Sequence, residues 1–339
     1  QVRANSKEPW LCEWQGQKMK PRLIKRNDRS AYVSHEDVDI TAREIMDKIV
    51  DAAWSNGEPG VLFPDAANRT NPLPHLGRLE ATNPCGEQYL HDGDVCNLGS
   101  INLAKFVKNG KVEEDHLRYT TDLAVRMLDN VIDISDFPVD KVNERFRDNR
   151  RVGLGIMGFA DMLYQMGIGY NTEAGFAMAE RVMGIVNDTA HKTSQQLAEE
   201  KGVFPNWEKS VFGPRGKNIK MRNSALTTVA PTGSVSMFFD CSSGVEPFFA
   251  LAYYKEVMGG EKMPYLNKYL EQTLRQRGLY SDELLQDIVS TGTIQHRTDL
   301  PEDIRQVFVT AMDMSGKDHI QMQAAFQRHT DNSISKTIK

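Results

Sequence analysis

Two cysteines, with an amide and a carboxyl group beside one of them, form the part of the sequence best suited to chemistry. The run NPCGE at residues 83–87 places the Cys85 thiol between the Asn83 amide and the Glu87 carboxyl, and Cys96 follows eleven residues after Cys85. In an extended segment alternate side chains share a face. We therefore expect Asn83, Cys85 and Glu87 to point the same way.

This group of side chains can carry out radical or acid–base chemistry. The Cys85 thiol can act as a nucleophile or hydrogen-atom carrier, the Glu87 carboxylate as a general base, and the Asn83 amide can orient a hydroxyl or carbonyl group. Cys96 is a candidate redox partner for the site. The alternative is that both cysteines are buried, where a free cysteine behaves as a small hydrophobic residue.

A second candidate site lies at residues 225–236. The β-branched and apolar run ALTTVA predicts a strand, which ends at Pro231-Thr232-Gly233-Ser234. A strand followed by a turn of small residues that begins a helix leaves backbone N–H groups free, and these can bind an anion. Thr232 and Ser234 add hydroxyl donors. The alternative is an ordinary helix N-terminus, and the Walker pattern GxxxxGK[ST] is absent.

These sites require a scaffold in which strands alternate with helices. Strands are predicted at 59–64, 98–107, 151–157, 225–230 and 332–337. Residues 114–134, 139–149 and 172–201 predict helices, and Leu117, Leu123, Met127, Leu128 and Val131 are expected to face inward from the first of these. Thr41 and Glu44 form a capping box that begins a further helix. This alternation indicates an α/β architecture.

The bulk properties exclude several other classes of protein. The 339 residues are 40% hydrophobic, which supports a sizeable core, and 41 Lys+Arg against 46 Asp+Glu give a net charge of −5. We expect neither nucleic acid nor a membrane as partner, and the histidines show no metal-binding spacing. Four cysteines in a chain of this length fit a reducing cytoplasm.

Four long motifs, in the same order, resemble the catalytic subunit of ribonucleotide reductase, closest to its adenosylcobalamin-dependent (class II) branch. They are NPCGEQ followed by VCNLGSINLAKFV, then RVGLGIMGFADMLYQMGIGY at 151–170, TTVAPTGSVSMFFDCSSGVEPFFALAYYKEV at 227–257 and HIQMQAAFQRHTDNSISKTI at 319–338. The resemblance runs from about residue 40 to the end of the sequence.

The resemblance implies a ten-stranded α/β barrel with a central finger loop at 82–97, incomplete in this chain. Residues 1–38 would be an N-terminal segment of uncertain structure, and 39–339 the catalytic barrel portion. The implied substrate-binding residues are Asn83, Pro84, Cys85, Gly86, Glu87, Pro231, Thr232, Gly233, Ser234 and Val235.

The implied reaction reduces a ribonucleoside di- or triphosphate to its 2′-deoxyribonucleotide, a DNA precursor. A cofactor makes a thiyl radical at Cys85, which takes the 3′-hydrogen. Glu87 acts as base on the 3′-hydroxyl, and Asn83 hydrogen-bonds the sugar. Cys96 supplies one reducing equivalent and ends in a redox-active disulfide. The implied cofactor is adenosylcobalamin, and the implied reductant is a thioredoxin-type protein.

The sequence departs from the family at both ends. The family's N-terminal half carries the effector region and the cysteine that pairs with the position of Cys96, and the surroundings of Cys12, WLCEWQGQ, do not match that motif. Lys339 stands where the family has Asn. We therefore expect one part of an enzyme, as a split-gene product, a fragment or a reduced member, which alone can be inactive. Its partners would be the missing half or another subunit, with nucleotide effectors.

Three other readings of the sequence stay open. One is a class I-type catalytic subunit that receives its radical from a separate metal-carrying subunit. Another is a non-catalytic nucleotide-binding or assembly module of a split reductase. A third is a thiol–disulfide oxidoreductase that uses Cys85 and Cys96, although their spacing is not C-x-x-C.

Overall fold

The computed structural model describes residues 6–14, 17–27, 30–256 and 262–338. The polypeptide forms two compact units, Gln1–Phe63 and Pro64–Lys339. The division into an N-terminal segment 1–38 and a barrel portion 39–339 stays a prediction.

The described residues of the first unit form two antiparallel hairpins and one helix. The hairpins are formed by β1 (Cys12–Trp14) with β2 (Gln17–Met19), and by β3 (Arg22–Asn27) with β4 (Ser30–Asp37). Helix α1 (Ala42–Asn56) begins at the expected capping box, in which Glu44 N donates to Thr41 Oγ1 and Thr41 N donates to a Glu44 carboxylate oxygen. The predicted start of this helix is therefore confirmed.

The predicted strand at 59–64 is wrong. Residues 58–63 form no strand, and Val61, Leu62 and Phe63 are 59%, 47% and 68% exposed. Proline stands at both ends of the short apolar run, at Pro59 and Pro64, and proline removes a backbone donor that a strand ladder needs. Apolar composition alone was therefore an insufficient signal for a buried strand.

The second unit alternates short strands with longer helices. Its strands are β5 (Ala81–Thr82), β6 (Tyr89–Leu90), β7 (Asn97–Asn102), β8 (Val107–Lys108), β9 (Lys111–Val112), β10 (Val152–Met157), β11 (Ala252–Glu256) and β12 (Lys262–Leu266). Its helices are α2 (Pro64–Arg69), α3 (Glu114–Ile134), α4 (Asp140–Asn149), α5 (Phe159–Met166), α6 (Glu173–Lys201), α7 (Gly233–Phe238), α8 (Lys268–Gln276), α9 (Asp282–Thr291), α10 (Glu302–Val307) and α11 (Gly316–Gln327).

A parallel row of four extended segments forms the centre of this unit. β7 pairs with β10, from Val152 beside Asn97 to Met157 beside Asn102. β10 in turn pairs with the segment 225–229 through a parallel bridge at Leu154–Thr227, and that segment pairs with 333–335 at Val229–Ile334. Four of the five predicted strands therefore join in one row. The described residues form no closed barrel, which fits the expected incomplete one.

Helices pack around this row and bury it. Every residue of β10 is buried, and the main core joins it to side chains of α3, α6 and α11. The inward face of α3 differs from the predicted one, because Leu123 and Met127 are 47% and 59% exposed while Thr121 and Asp129 are buried. Asp129 can face inward because Arg150 binds its carboxylate at 2.8 Å. Leu117 and Leu128 are buried as predicted.

A polar contact fixes the last extended segment against its neighbour. The Asp331 carboxylate accepts hydrogen bonds from the backbone N–H groups of Leu226 and Thr227 and lies 2.9 Å from His191 Nε2 on α6. Burial opposes the charge on His191, but the Asp331 carboxylate outweighs burial and raises the His191 pKa. The contact therefore connects a helix to two members of the parallel row.

Two glycines of β10 let the neighbouring chain approach closely. A Cβ at Gly153 would lie 2.7 Å from Gln88 Nε2 and 2.8 Å from Thr228 Cγ2, and a Cβ at Gly155 would lie 2.2 Å from the Thr228 carbonyl oxygen. These positions therefore require glycine because of space, not because of backbone conformation.

We expect Gly153→Ala to lower the free energy of unfolding by about 1–3 kcal/mol, since an added methyl group there overpacks a filled core. Gly60→Ala is the matched control, because a Cβ at Gly60 meets no atom within 4 Å. Urea unfolding of the two variants and the parent measures the difference. Equal midpoints for Gly153→Ala and Gly60→Ala would contradict the close packing at β10.

Candidate active site

The segment with Cys85 is a tight turn between two short strands. β5 and β6 pair antiparallel, and Gly86 N donates to the Asn83 carbonyl oxygen at 3.1 Å, so that Pro84 and Cys85 occupy the two central positions of a turn. The expectation of an extended segment with alternating faces is therefore wrong. Proline before Cys85 and glycine after it favour a turn over a strand.

The Glu87 backbone attaches this turn to the parallel row. Its carbonyl oxygen accepts hydrogen bonds from Ser333 N at 3.0 Å and from Thr228 Oγ1 at 2.8 Å. The next residue, Gln88, accepts a bond from Asn332 Nδ2 at 2.7 Å. The turn is therefore held by two adjacent members of the row, 225–229 and 333–335.

The Glu87 side chain is buried with an unused hydrogen-bond acceptor. The residue is 1% exposed, and its Oε2 atom has no hydrogen-bond partner among the described residues. A buried carboxylate oxygen without a partner costs free energy, so it requires an explanation. A hydroxyl group brought by a ligand would supply the missing donor.

Asn83 shapes the turn with one half of its amide. Its Oδ1 atom accepts a hydrogen bond from Gln88 N at 3.0 Å, while Asn83 N donates to the Gln88 carbonyl oxygen at 3.2 Å. These two bonds close the loop at its base. The Asn83 oxygen therefore has a structural role that the sequence pattern did not predict, and the Nδ2 donor is the part of the amide suited to a ligand.

The two predicted redox cysteines differ in their surroundings. Cys85 is exposed and Cys96 is half-buried, and both are free thiols. The Cys96 thiol donates to the Asn97 carbonyl oxygen at 3.2 Å. Burial raises the Cys96 pKa far above its ordinary value, and the charges of Asp94 and Glu87 raise it further while Arg151 lowers it. Cys96 therefore lies within electrostatic range of the Glu87 carboxylate.

The second candidate site is a turn before a short helix. The segment 225–229 is followed by Thr232 with φ +53°, and α7 begins at Gly233. Thr232 Oγ1 accepts a hydrogen bond from Gly244 N at 2.8 Å, which fixes the turn. A Cβ at Gly233 would meet nothing within 4 Å, so open space lies beside this backbone. Ser234 and Val235 are exposed.

The remaining cysteines lie outside this arrangement. Cys12 belongs to β1 in the first unit, and its thiol donates to the Met19 carbonyl oxygen. Burial raises the pKa of Cys241 to about 11. Among the described residues no group of three or more His, Cys, Asp or Glu side chains could hold a metal ion. None of the helices in the described ranges is both long and apolar enough to cross a membrane.

The family model for the ribonucleotide reductase barrel domain matches residues 4–218 and 214–339, which is nearly the whole chain. The chain belongs to the ribonucleotide reductase barrel-domain family. The fold class predicted from the sequence is therefore confirmed, as is the resemblance that suggested it.

Individual reductases support the same family. The vitamin B12-dependent ribonucleoside-diphosphate reductase of Thermoplasma acidophilum is 47% identical over 300 residues, which cover 88% of this chain and 39% of that protein. A protein of the same name from Mycobacterium tuberculosis H37Rv is 40% identical over 321 residues, which cover 94% of this chain and 45% of that protein. The chain thus spans less than half the length of these curated relatives.

A solved structure shares the fold. The class Id ribonucleotide reductase alpha subunit of Actinobacillus ureae has a TM-score of 0.72 and 25% identity to this chain, and the match covers 86% of this chain and 54% of the subunit. The parallel row and its finger loop are therefore a portion of the reductase barrel.

Three buried polar residues near this site were missed at the level of sequence. Arg151 is 1% exposed and its Nε atom lies 3.2 Å from Asp94 Oδ2, beside the position of Cys96. His91 Nδ1 lies 3.7 Å from the same Asp94 oxygen. The signal was the pair Arg150-Arg151 directly before an apolar strand, since a charged residue at the start of a fully buried strand needs a buried partner.

We expect iodoacetamide to modify Cys85 at least about tenfold faster than Cys96 at pH 8, because Cys85 is exposed whereas burial keeps Cys96 protonated. Peptide mass mapping over time measures both rates in one sample, and Cys85→Ser identifies the fast site. Modification of Cys96 before Cys85 would contradict the arrangement of the two thiols.

Proposed function

We propose that this chain is the active-site portion of a ribonucleotide reductase that replaces the ribose 2′-hydroxyl by hydrogen and so supplies DNA precursors in the cytoplasm. The observation that carries the proposal is the turn itself, on which an accessible Cys85 thiol stands two residues from a buried Glu87 carboxylate with an unused Oε2 acceptor. The names of the similar reductases favour a ribonucleoside diphosphate as the substrate.

Three residues of the turn act on the sugar in this proposal. Cys85, as a thiyl radical, takes the 3′-hydrogen atom of the ribose. Glu87 accepts the proton of the 3′-hydroxyl at Oε2, the oxygen that lacks a partner in the described residues. The Asn83 Nδ2 group donates to a sugar oxygen, because Asn83 Oδ1 is already bound to Gln88 N.

Cys96 supplies reducing equivalents in this proposal. It and a second cysteine lose two electrons in forming a disulfide, and with protons these electrons reduce C2′ while the 2′-hydroxyl leaves as water. A thioredoxin-type dithiol then reduces the disulfide. Cys85 stays outside the disulfide, because its sulfur must remain free to carry the radical. The second cysteine and the nucleotide effectors would belong to other parts of the assembled enzyme.

Adenosylcobalamin is the proposed cofactor, since similar reductases carry vitamin B12 dependence in their names. When bound, this group supplies the radical that oxidises a thiol. The residues of this chain fit that requirement, because Cys85 occupies the exposed tip of a turn and can be reached from outside. Cys85 holds the radical, and the contacts of Glu87 to the parallel row fix its position.

The turn at residues 231–235 is the proposed phosphate site. The backbone N–H groups of Gly233, Ser234 and Val235 stand in the first turn of α7, and open space lies beside Gly233. The match of this motif to the family supports the assignment, and a six-residue helix alone would not. Pro231 and Thr232 connect the phosphate turn to the parallel row, so both candidate sites rest on the same segment.

The class I-type alternative is less well supported, because the relatives at 40% and 47% identity are named vitamin B12-dependent. A non-catalytic assembly module would have no need of an unpartnered buried carboxylate beside an exposed thiol. The thiol–disulfide oxidoreductase alternative is likewise disfavoured, because it gives Glu87 no role.

In the assembled enzyme that contains this chain, we expect Cys85→Ser to abolish deoxynucleotide formation, because the O–H bond of serine is too strong for hydrogen transfer. Cys96→Ser should permit removal of the 3′-hydrogen but no reduction, so that substrate or cofactor decays without turnover. Cys241→Ser is the control and should keep its activity. Normal turnover in Cys85→Ser would refute the assignment of this turn.

A second prediction concerns the phosphate turn. Gly233→Asp should weaken binding of a nucleoside diphosphate by at least about tenfold, since it puts negative charge beside the N–H groups that would hold the phosphate. Gly60→Asp is the control for charge alone. Isothermal titration of both variants measures the affinities, and an unchanged dissociation constant for Gly233→Asp would exclude this turn as the phosphate site.

A further inference from the structure

Arg151 and Cys96 are neighbours across two parallel strands. The register places Val152 of β10 beside Asn97 of β7, so the residues that precede these two, Arg151 and Cys96, lie side by side at the start of the strands. Laterally paired residues of adjacent strands project to the same face of a sheet. Continued one residue before the ladder, this register puts the two side chains on one face, and the Arg151 charge acts on the thiol, whose pKa it lowers.

The Arg151 guanidinium has hydrogen-bonding capacity that the described residues do not use. Its Nε atom lies 3.2 Å from Asp94 Oδ2, whereas its Nη2 atom is buried and has no hydrogen-bond partner in the described ranges. Arginine stays charged in proteins, so the cation cannot neutralise itself by losing a proton. A buried cation with a free N–H group is suited to stabilise an anion next to it.

Asp94 competes with the thiol for this cation. Its carboxylate is buried and binds Arg151 Nε, and His91 faces the same oxygen from the other side. On the other side of the ring, Asn71 Nδ2 approaches His91 Nε2 at 3.4 Å. His91 Nδ1 makes no hydrogen bond within the described residues, so the contact of the Asp94 carboxylate with Arg151 is the shorter of the two.

We propose that Arg151 is a positioning residue that stabilises the thiolate of Cys96, and that Asp94 weakens this stabilisation by binding the same guanidinium. The functional meaning rests on the proposed reductase activity. The charged groups that act on the Cys96 sulfur from the neighbouring elements are Arg151 before β10, Asp94 in the loop before β7 and Glu87 in the finger loop. Of these only Arg151 favours the anion.

A stabilised Cys96 thiolate would assist the step that regenerates the dithiol. A thiolate of the reductant attacks the sulfur bonded to Cys96, a new S–S bond forms, and the old bond breaks with its electron pair on Cys96 Sγ. That sulfur then takes a proton from water. The second thiol of the reductant then attacks the new S–S bond. This releases the former partner cysteine of Cys96 as a thiol and leaves the reductant as a disulfide. A less basic leaving thiolate departs faster, so a cation beside Cys96 accelerates the exchange.

The test follows the reactivity of Cys96 in the isolated chain and needs no nucleotide. In a background with Cys12, Cys85 and Cys241 changed to serine, only Cys96 reacts with iodoacetamide, and the thiolate displaces iodide. We expect Asp94→Asn to accelerate this reaction about threefold to tenfold at pH 8, because a shift of one pKa unit changes the thiolate fraction tenfold. Asp65→Asn, which alters an exposed acidic residue, is the control.

Adding Arg151→Gln to Asp94→Asn should remove the increase in alkylation rate. Cys96 should then react with iodoacetamide about tenfold more slowly than in Asp94→Asn alone. The double variant leaves no isolated buried charge, so it can fold where Arg151→Gln alone fails. Arg151→Lys in the Asp94→Asn background should keep most of the gain. General loosening would expose Cys96 and accelerate every variant, so opposite effects of the two substitutions identify charge as the cause.

Two results would overturn the proposal. One is an unchanged or slower reaction in Asp94→Asn, and the other is an equal rate with and without Arg151→Gln. Neither result depends on reductase activity. Failure of the chain to support deoxynucleotide formation would leave the alkylation rates as they are, so the two proposals fail separately.

Discussion

The Glu87 carbonyl group is the contact on which the arrangement of the candidate site depends. It accepts hydrogen bonds from Ser333 N and Thr228 Oγ1, which belong to adjacent members of the parallel row. The Thr228 bond is buried, and a buried polar group that is left unpaired costs about 1–3 kcal/mol. The finger loop is therefore attached to the scaffold through the backbone of the residue whose side chain would act as base.

This attachment limits which residue types the neighbouring positions can hold. The loop lies so close to β10 that a Cβ at Gly153 would meet Gln88, and Thr228 lies so close that Gly155 has no space for one. Asp331 binds the backbone of Leu226 and Thr227 and so holds 333–335 beside 225–229. Because 225–229 leads into the turn at 231–235, one segment positions both the loop and that turn relative to the row.

Much of this architecture could be predicted from the sequence, and the errors have identifiable physical causes. Two members of the row, 152–157 and 225–229, appear in the sequence as apolar or β-branched runs, and the capping box at Thr41 is visible as a local pattern. The run at 59–64 was misassigned because flanking prolines exclude it from a ladder. The buried face of α3 was misassigned because Asp129 is neutralised by Arg150, a partner outside the helix. Such long-range pairs leave no periodic signal in one sequence.

The candidate site shows the same difference between features that a local sequence pattern indicates and features that depend on long-range contacts. Residue type and spacing indicated Cys85, Glu87 and Cys96 as candidates, and their roles stay predictions. The same pattern did not predict the turn that joins the first two, because alternating side chains require an extended backbone whereas Pro84 and Gly86 favour a turn. Arg151 and Asp94 lie 57 residues apart in the chain and meet only because β7 and β10 pair in one register. That register gives Cys96 a charged environment, while Cys85 stands exposed on the turn. The fold thus gives the two thiols different surroundings, an exposed turn for Cys85 and a half-buried position near charged groups for Cys96.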